Sequence, residues 1–268
     1  MKIYRPTGAA GEYSTLALNY FSGCTHNCSY CYVRNINEIS KNGVTQDKCK
    51  APPEKGFVEL EASAKKFKDC NKQILLSFTG DPYCDMPNDT TRRVLTILNK
   101  YEHKVAILTK GGNRVLQDID LFKNFESRDL FSDNIPRIKV GATLTFDNDT
   151  DSAKWEPGAA SPQERIESLR KLSELGIRTW VSFEPVIFPE QSLNLLQQVS
   201  GFVDHVGIGK INHYNNLDKE IDWNDFIKKS VAICRGTDLK FYIKDDLVKF
   251  NRDTVLRDEE RSPNFFDL

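Results

Sequence analysis

The feature that most constrains the fold of this chain is an alternation of short apolar runs with longer segments of helical periodicity. Six of the runs have the length and composition of strands, and a seventh such run follows near the C terminus. They are Thr15–Phe21, Gln73–Thr79, Lys104–Thr109, Lys139–Thr145, Arg178–Glu184, His205–Gly209 and Lys240–Ile243. This rhythm is typical of parallel strands joined by right-handed crossovers, so we expect an α/β fold.

Helical segments lie between several of these strands. The clearest is Pro162–Leu175, because Ser161 has the character of an N-cap, Glu164 stands at capping-box spacing and Gly176 ends the pattern. The other predicted helices are Thr91–Tyr101, Leu193–Ser200, Trp223–Cys234 and one near Glu59–Phe67.

We therefore predict a single-domain, partial (β/α)6 TIM-like barrel of parallel strands with a C-terminal extension. The expected parts are an N-terminal segment 1–13, a core 14–210 that carries an insertion at 35–72, and an extension 211–268 that packs on the barrel. No internal repeat or low-complexity linker divides the chain, which favours one domain.

Composition excludes several classes of protein. The 268 residues include 37 basic and 38 acidic side chains, so the net charge of −1 excludes a strongly basic nucleic-acid coat and leans against tight duplex binding. No apolar run reaches the roughly 18 residues of a membrane span, and the first residues lack a signal-peptide h-region, so we expect a cytoplasmic protein. Seven cysteines, an odd number, argue against a disulfide framework.

Three of the cysteines, Cys24, Cys28 and Cys31, lie together in GCTHNCSYCYV directly after the first strand. Three thiolates hold three irons of a four-iron cluster and leave the fourth iron open, which suits chemistry better than electron carriage. The active sites of parallel barrels lie at this carboxyl end of the strands. Two alternatives stay open: a zinc site with His26 or a distant cysteine as fourth ligand, and thiols that are merely close in sequence.

The cysteine loop resembles the C-x3-C-x-aromatic-C signature of the radical S-adenosylmethionine (SAM) enzymes. More narrowly, the chain resembles the spore photoproduct lyase-like branch, also called DNA repair photolyase-like. The segments FTGDPY, ILTKGG, KWEPGAASPQERIESLRKLSELGI and VSFEPVI follow in the order of that branch. The resemblance covers about residues 14–210.

This resemblance implies an incomplete (β/α)6 barrel and a 4Fe-4S cluster whose open iron binds the amino and carboxylate groups of SAM. Reductive cleavage of SAM then gives a 5′-deoxyadenosyl radical that abstracts hydrogen from an organic substrate, with a nucleic-acid lesion or nucleotide as first hypothesis. It also implies an electron donor of the flavodoxin or ferredoxin kind. The alternatives are a radical enzyme that modifies a peptide, and a metal- or cluster-stabilised binding protein without turnover.

The resemblance also assigns cofactor-binding residues. Tyr30 stands where the family has an aromatic residue near the adenine; Thr79, Gly80 and Asp81 stand where its turn binds the methionine amino group; Lys110 stands where a lysine pairs with the carboxylate. The structural alternatives are a rim aromatic for Tyr30 and a turn-forming role for Asp81.

Two strands carry further candidates. Thr143 and Thr145 alternate on one strand, so their side chains share a face. Their hydroxyls bond the ribose in one interpretation; in the other, both residues pack as β-branched side chains. Glu184 ends the next strand and is a candidate contact for cofactor or substrate, or one member of a salt bridge. Trp155 and Glu156 lie in a loop over the same face, where they cover substrate or cap the barrel.

Two candidate catalytic residues follow from a departure from the family. Spore photoproduct lyases proper have a hydrogen-returning cysteine where this chain has Phe78. Cys84 lies a few residues on and is the candidate substitute, with Tyr83 as a radical relay. The alternative for Cys84 is a buried inert thiol.

Overall fold

The computed structural model describes residues 1–35, 48–86, 89–125, 136–212, 214 and 217–261. Its strands in chain order are β1 (Leu16–Leu18), β2 (Ser22–Gly23), β3 (Cys49–Lys50), β4 (Gln73–Leu76), β5 (Lys104–Thr109), β6 (Ile138–Thr143), β7 (Arg178–Val186), β8 (His205–Lys210) and β9 (Lys240–Ile243). Its α-helices are α1 (Glu54–Phe67), α2 (Thr90–Lys100), α3 (Ile119–Lys123), α4 (Asp149–Trp155), α5 (Pro162–Glu174), α6 (Pro189–Val199), α7 (Trp223–Gly236) and α8 (Asp245–Val248).

Seven of the strands form one parallel sheet in the order β1-β4-β5-β6-β7-β8-β9, and each strand pairs with the next. The predicted α/β class with a partial barrel is confirmed. Within the described residues β1 and β9 do not pair, so the barrel stays open between them. Tyr242 in β9 donates a hydrogen bond of 2.8 Å to Glu12, which ties this edge to the segment before β1.

The predicted extension contributes the last strand, β9, at the bounds expected from sequence. The first predicted strand, Thr15–Phe21, is longer than the observed β1 because Asn19 leaves the sheet. Its Oδ1 accepts hydrogen bonds from the amides of Phe78 at 2.7 Å and Thr79 at 3.3 Å, and so holds the turn after β4.

Two helices begin earlier than the sequence pattern predicts. Helix α1 begins at Glu54 rather than near Glu59, and α6 begins at Pro189 rather than Leu193, with proline in its first turn. The predicted cap of α5 is confirmed, because Ser161 Oγ accepts the amide of Glu164 at 3.2 Å. Residues 36–47 of the predicted insertion lie outside the described residues.

Apolar side chains on the outer face of the sheet pack against the helices in two cores. One core joins β1, β4 and β5 to α1 and α2, and the other joins β7 and β8 to α6 and α7. Fully buried members are Leu18, Leu76, Val105, Leu60 and Leu95 in the first core and Val181, Ile208, Leu195 and Ile227 in the second. Among the described helices, none combines the length and apolar character that a membrane crossing needs.

The inside of the barrel is filled by Trp180. Its Nε1 donates to the carbonyl of Ile107 at 3.0 Å, its ring stacks on His205, and Leu75 and Ala106 pack against it. Because this level of the barrel is occupied by side chains, space for a ligand lies toward the carboxyl ends of the strands.

The indole of Trp180 also depends on a glycine in the neighbouring strand. A Cβ at Gly141 would lie 2.4 Å from Trp180 Nε1, whereas a Cβ at Gly207, in β8, would meet no atom within 4 Å. We expect Gly141→Ala to lower the free energy of unfolding by about 1–3 kcal/mol through overpacking. Gly207→Ala, the matched control, stays within about 1 kcal/mol of the parent. Urea unfolding checks both, and equal effects of the two substitutions would contradict the packing described.

Candidate functional site

The cysteine loop begins directly after β2 and lies at the carboxyl edge of the sheet. Cys24 and Cys28 are buried, Cys31 is partly exposed, and the amide of Cys31 donates to the carbonyl of Cys28 at 3.2 Å. The seven cysteines, all among the described residues, form no disulfide. Burial raises the pKa of Cys24, and it raises that of Cys28 to about 12, so these thiols favour the protonated form until a cation binds them.

The loop is docked on the segment between α4 and α5. Ser29 N donates to the carbonyl of Trp155 at 2.8 Å, and Gly158 N donates to the carbonyl of His26 at 2.9 Å. In return, Nδ1 of His26 donates to the carbonyl of Gly158 at 3.0 Å. A Cβ at Gly158 would stand 2.0 Å from the carbonyl oxygen of Thr25, so only glycine permits this approach.

A buried carboxylate, Glu156, lies at the centre of the contact between these two segments. Tyr30, between the second and third cysteines, donates its hydroxyl to Glu156 Oε1, and Arg165 donates Nη2 to Oε2 at 2.5 Å. Nζ of Lys110 lies 4.0 Å from Oε1. Burial raises the pKa of Glu156, but Arg165, Lys110 and the tyrosine hydroxyl outweigh it and hold the pKa below its ordinary value. Glu156 is therefore ionised at neutral pH.

The guanidinium of Arg165 fixes the position of that carboxylate. Its side chain is 1% exposed. It also donates Nε to the carbonyl of Ala160 at 2.9 Å and Nη1 to that of Thr143 at 3.0 Å. One side chain thus joins the first turn of α5, the end of β6 and the segment that carries Glu156.

Asp81 is the second buried carboxylate of the site. Its Oδ1 accepts from Thr109 Oγ1 at 2.6 Å and from the amide of Tyr83 at 2.8 Å, and its Oδ2 accepts from the amide of Lys110 at 2.8 Å. Nε2 of His26 lies 3.1 Å from Oδ2. Burial raises the pKa of Asp81, but His26 and these donors outweigh it and hold the pKa well below its ordinary value. This geometry favours the turn-forming alternative over a direct contact with an ammonium group.

Three other predicted cofactor-binding residues lie around the cysteine loop. The turn with Thr79 and Gly80 lies against the base of the loop, so closely that a Cβ at Gly80 would meet the carbonyl of Gly23 at 2.9 Å. On the other side of the loop, Nζ of Lys110 lies 5.7 Å from the ring centroid of Tyr30. These predicted residues are therefore brought together around the loop.

The candidates predicted on strands are divided between the group around the loop and a separate one, and Thr145 lies just beyond β6, which ends at Thr143. Thr145 Oγ1 lies 3.5 Å from the hydroxyl of Tyr30. Thr143 is buried, and its carbonyl accepts a hydrogen bond from Arg165. Glu184 belongs to the second group, since Lys244 donates to its Oε2 at 2.5 Å and Tyr13 donates its hydroxyl to the same oxygen. The salt-bridge alternative for Glu184 fits this contact.

Tyr83 and Cys84 do not join either group. The hydroxyl of Tyr83 donates to Asp118 Oδ2 at 2.9 Å, and Cys84 Sγ lies 3.2 Å from Cys49 Sγ. Both side chains belong to the outer core between the sheet and α1 and α2. Their catalytic roles stay predictions, and this packing favours the buried-thiol alternative for Cys84.

Arg165, Asn19 and Lys244 are site residues that the sequence reasoning missed. Only Arg165 left a signal. It lies four residues before Leu169, so the helical period places a charged side chain on the buried face of α5. A charge on such a face requires a buried partner, which here is Glu156.

The donor set fits an iron-sulfur cluster. Among the described residues, no three His, Cys, Asp or Glu side chains are gathered around a single metal ion. A four-iron cluster takes each thiolate on a different iron, so its ligands need not converge on one point. Two buried polar atoms next to the loop, Ser29 Oγ and Trp155 Nε1, have no hydrogen-bond partner within the described part of the chain. Reduced thiols beside unsatisfied donors suit a polar, sulfur-bound group.

Asp81→Asn tests the role of this carboxylate as an anchor. We expect a loss of about 1–3 kcal/mol in the free energy of unfolding, because the amide group cannot accept from all of the buried donors. Asp85→Asn, at an exposed position of the same turn, is the matched control and changes little.

The lowered pKa of Asp81 also fixes a pH dependence. Its contribution is complete above an unfolded-state pKa of about 4 and is lost as pH falls through the lower folded-state pKa. The difference between parent and Asp81→Asn in urea unfolding is therefore no smaller at pH 5 than at pH 7. A difference that shrinks at pH 5 would contradict the assignment.

Comparisons with known proteins agree with this architecture. The chain is 28% identical over 181 residues to the uncharacterized protein ORF301 of Acidianus two-tailed virus, covering 65% of this chain and 57% of that protein. It is 29% identical over 191 residues to the uncharacterized protein MJ0683 of Methanocaldococcus jannaschii, covering 69% and 65%. The chain thus spans less than two thirds of the length of these relatives.

Two solved structures share the fold. Streptococcus suis SuiB bound to S-adenosylmethionine has a TM-score of 0.62 at 12% identity, over 90% of this chain and 53% of SuiB. A spore photoproduct lyase mutant with bound AdoMet and dinucleoside spore photoproduct has a TM-score of 0.61 at 12% identity, over 86% and 76%. The model of the Radical SAM superfamily matches residues 18–202, which include the whole cysteine loop. The chain therefore belongs to the Radical SAM superfamily.

Proposed function

We propose that this protein is an enzyme that cleaves SAM reductively and uses the resulting radical to abstract hydrogen from an organic substrate, a nucleic-acid lesion or nucleotide being the first hypothesis. The observation that carries the proposal is the cysteine loop at the carboxyl edge of a parallel sheet, with Lys110 and Tyr30 beside it, in a chain of this superfamily.

Cys24, Cys28 and Cys31 are the proposed ligands of a 4Fe-4S cluster. When bound, this cluster supplies one electron and an open iron for the cleavage of SAM into methionine and a 5′-deoxyadenosyl radical. The electron comes from a flavodoxin- or ferredoxin-like donor. Docking of the loop on the segment that holds Gly158 keeps the three thiols at fixed positions.

Lys110 is the proposed partner of the methionine carboxylate. The side chain of Lys110 is 15% exposed and therefore reaches the open side of the site, while Glu156 Oε1 lies 4.0 Å from Nζ on the buried side. The turn with Thr79 and Gly80 receives the amino group, and Asp81 holds that turn and the end of β5 together. Tyr30, Thr143 and Thr145 line the part of the site that we propose binds the adenine and ribose of SAM.

Glu184 lies in β7, and its ion-pair partner Lys244 directly follows β9. We assign this pair to the substrate side of the barrel. Tyr13 packs against both, because its ring lies 4.0 Å from Nζ of Lys244 and its hydroxyl donates to Glu184. The pair holds two opposite charges that are both able to bind polar substrate groups.

The proposed reaction is tested by anaerobic reconstitution with iron and sulfide, followed by reduction in the presence of SAM. We expect 5′-deoxyadenosine by liquid chromatography, and at least a tenfold loss for Cys28→Ala because one iron loses its ligand. Cys70→Ser, at a partly exposed position away from the loop, is the matched control and retains the activity. One bound zinc without sulfide, and no 5′-deoxyadenosine, would instead support a binding protein without turnover.

The substrate class has its own test. We expect a dinucleoside lesion to raise the rate of 5′-deoxyadenosine formation above the substrate-free rate, whereas unmodified peptides do not. The same measurement at increasing salt concentration shows whether phosphate contacts contribute, since such contacts weaken with salt. Acceleration by a peptide and not by nucleotides would contradict the nucleic-acid hypothesis while leaving SAM cleavage intact.

A further inference from the structure

Three charged side chains lie in a row behind the second half of the cysteine loop. Nζ of Lys110 is 4.0 Å from Glu156 Oε1, and Nη2 of Arg165 is 2.5 Å from Glu156 Oε2. The side chains of Glu156 and Arg165 are 0% and 1% exposed, so salt screens both far less than it screens a surface charge. In a soluble protein, charges as deeply buried as these are uncommon unless they are paired.

The row is linked to the loop through Tyr30. The hydroxyl of Tyr30 donates to Glu156, and the residue lies between Cys28 and Cys31 in the chain. Arg165 holds Glu156 from the other side and is itself fixed by the carbonyls of Ala160 and Thr143. A movement of the guanidinium is therefore transmitted to the backbone between the two thiols.

We infer that Glu156 and Arg165 set the one-electron reduction potential of the group that the cysteine loop binds, with Arg165 as a positioning residue for Glu156 and Tyr30. The inference rests on the proposed function, because it requires the cluster. The step it concerns adds one electron from the flavodoxin- or ferredoxin-class donor, and no bond to a protein atom forms or breaks.

The physical basis is the net charge near the electron acceptor. A buried negative charge opposes the arrival of an electron and lowers the potential, whereas a buried positive charge raises it. The hydroxyl of Tyr30, which lies between two of the three proposed ligands, donates to Glu156, and Glu156 accepts in turn from Arg165. These charges therefore lie close enough to the loop to act on an iron that its thiolates bind.

The structure allows a test in which two substitutions are expected to shift the reduction potential in opposite directions. In the reconstituted protein, Glu156→Gln removes a negative charge at nearly constant volume, and we expect a more positive potential. Arg165→Gln removes a positive charge, and we expect a more negative potential. The double variant removes both charges and returns toward the parent. A redox titration followed by electron paramagnetic resonance measures each potential.

Exposed charges on the same helix are the matched controls. Glu167→Gln and Lys171→Gln lie on the solvent side of α5 and leave the potential unchanged. Arg165→Lys keeps the charge and covers the case in which Arg165→Gln fails to fold. Its potential stays close to that of the parent, because the charge is kept although lysine cannot donate to all three acceptors of the guanidinium.

The outcomes separate this inference from the proposed function. A parent that binds iron and sulfide, and whose potential is not moved by Glu156→Gln, overturns the inference alone. Shifts of equal sign for Glu156→Gln and Arg165→Gln also overturn it, because a merely structural role loosens the site in the same way for both. A parent that binds no iron overturns both proposals.

Discussion

The site depends on the contact between the cysteine loop and the segment that joins α4 to α5. Backbone hydrogen bonds through His26 and Gly158 form one half of this contact, and the buried pair of Glu156 and Arg165 forms the other. A buried ion pair costs desolvation free energy that its mutual attraction barely offsets, so it gives a defined geometry more than it gives stability. Here that geometry fixes the residue between two cysteines.

A second carboxylate connects this contact to the sheet. Asp81, in the turn that follows β4, accepts hydrogen bonds from Thr109 and from the amide of Lys110 at the end of β5. Its Oδ2 lies 3.1 Å from Nε2 of His26 in the cysteine loop. The loop is therefore held at its base by Asp81 and at its far side by Glu156. Both carboxylates keep a pKa below the ordinary value despite burial, because each is surrounded by cations or donors.

The sequence was informative about the fold because its periodicity matches the burial of each element. Strand β9 and helix α5 have sharp turn and cap signals, and their bounds were predicted closely. The end of β1 was not, because Asn19 leaves the sheet for a hydrogen bond to a segment about 60 residues away. No local sequence pattern indicates a contact over such a separation.

In the site, too, local patterns could be predicted and long-range contacts could not. Spacing alone singled out the three cysteines as candidate ligands, and family resemblance led to Lys110 and Tyr30 as candidate cofactor contacts. The pairing of Arg165 with Glu156 could not be predicted, because a charge on an apolar helix face indicates a buried partner without naming it. Glu184 was predicted from its place at a strand end, whereas its partner Lys244 lies 60 residues further along the chain, directly after β9.

The proposed function requires that the cysteine loop holds a cluster with an open iron that SAM reaches. The most direct measurement is the electron paramagnetic resonance spectrum of the reduced, reconstituted protein with and without SAM. Direct binding to the cluster predicts a changed spectrum when SAM is added, and a changed spectrum that is lost in Cys28→Ala. A spectrum that SAM leaves unchanged would contradict the account.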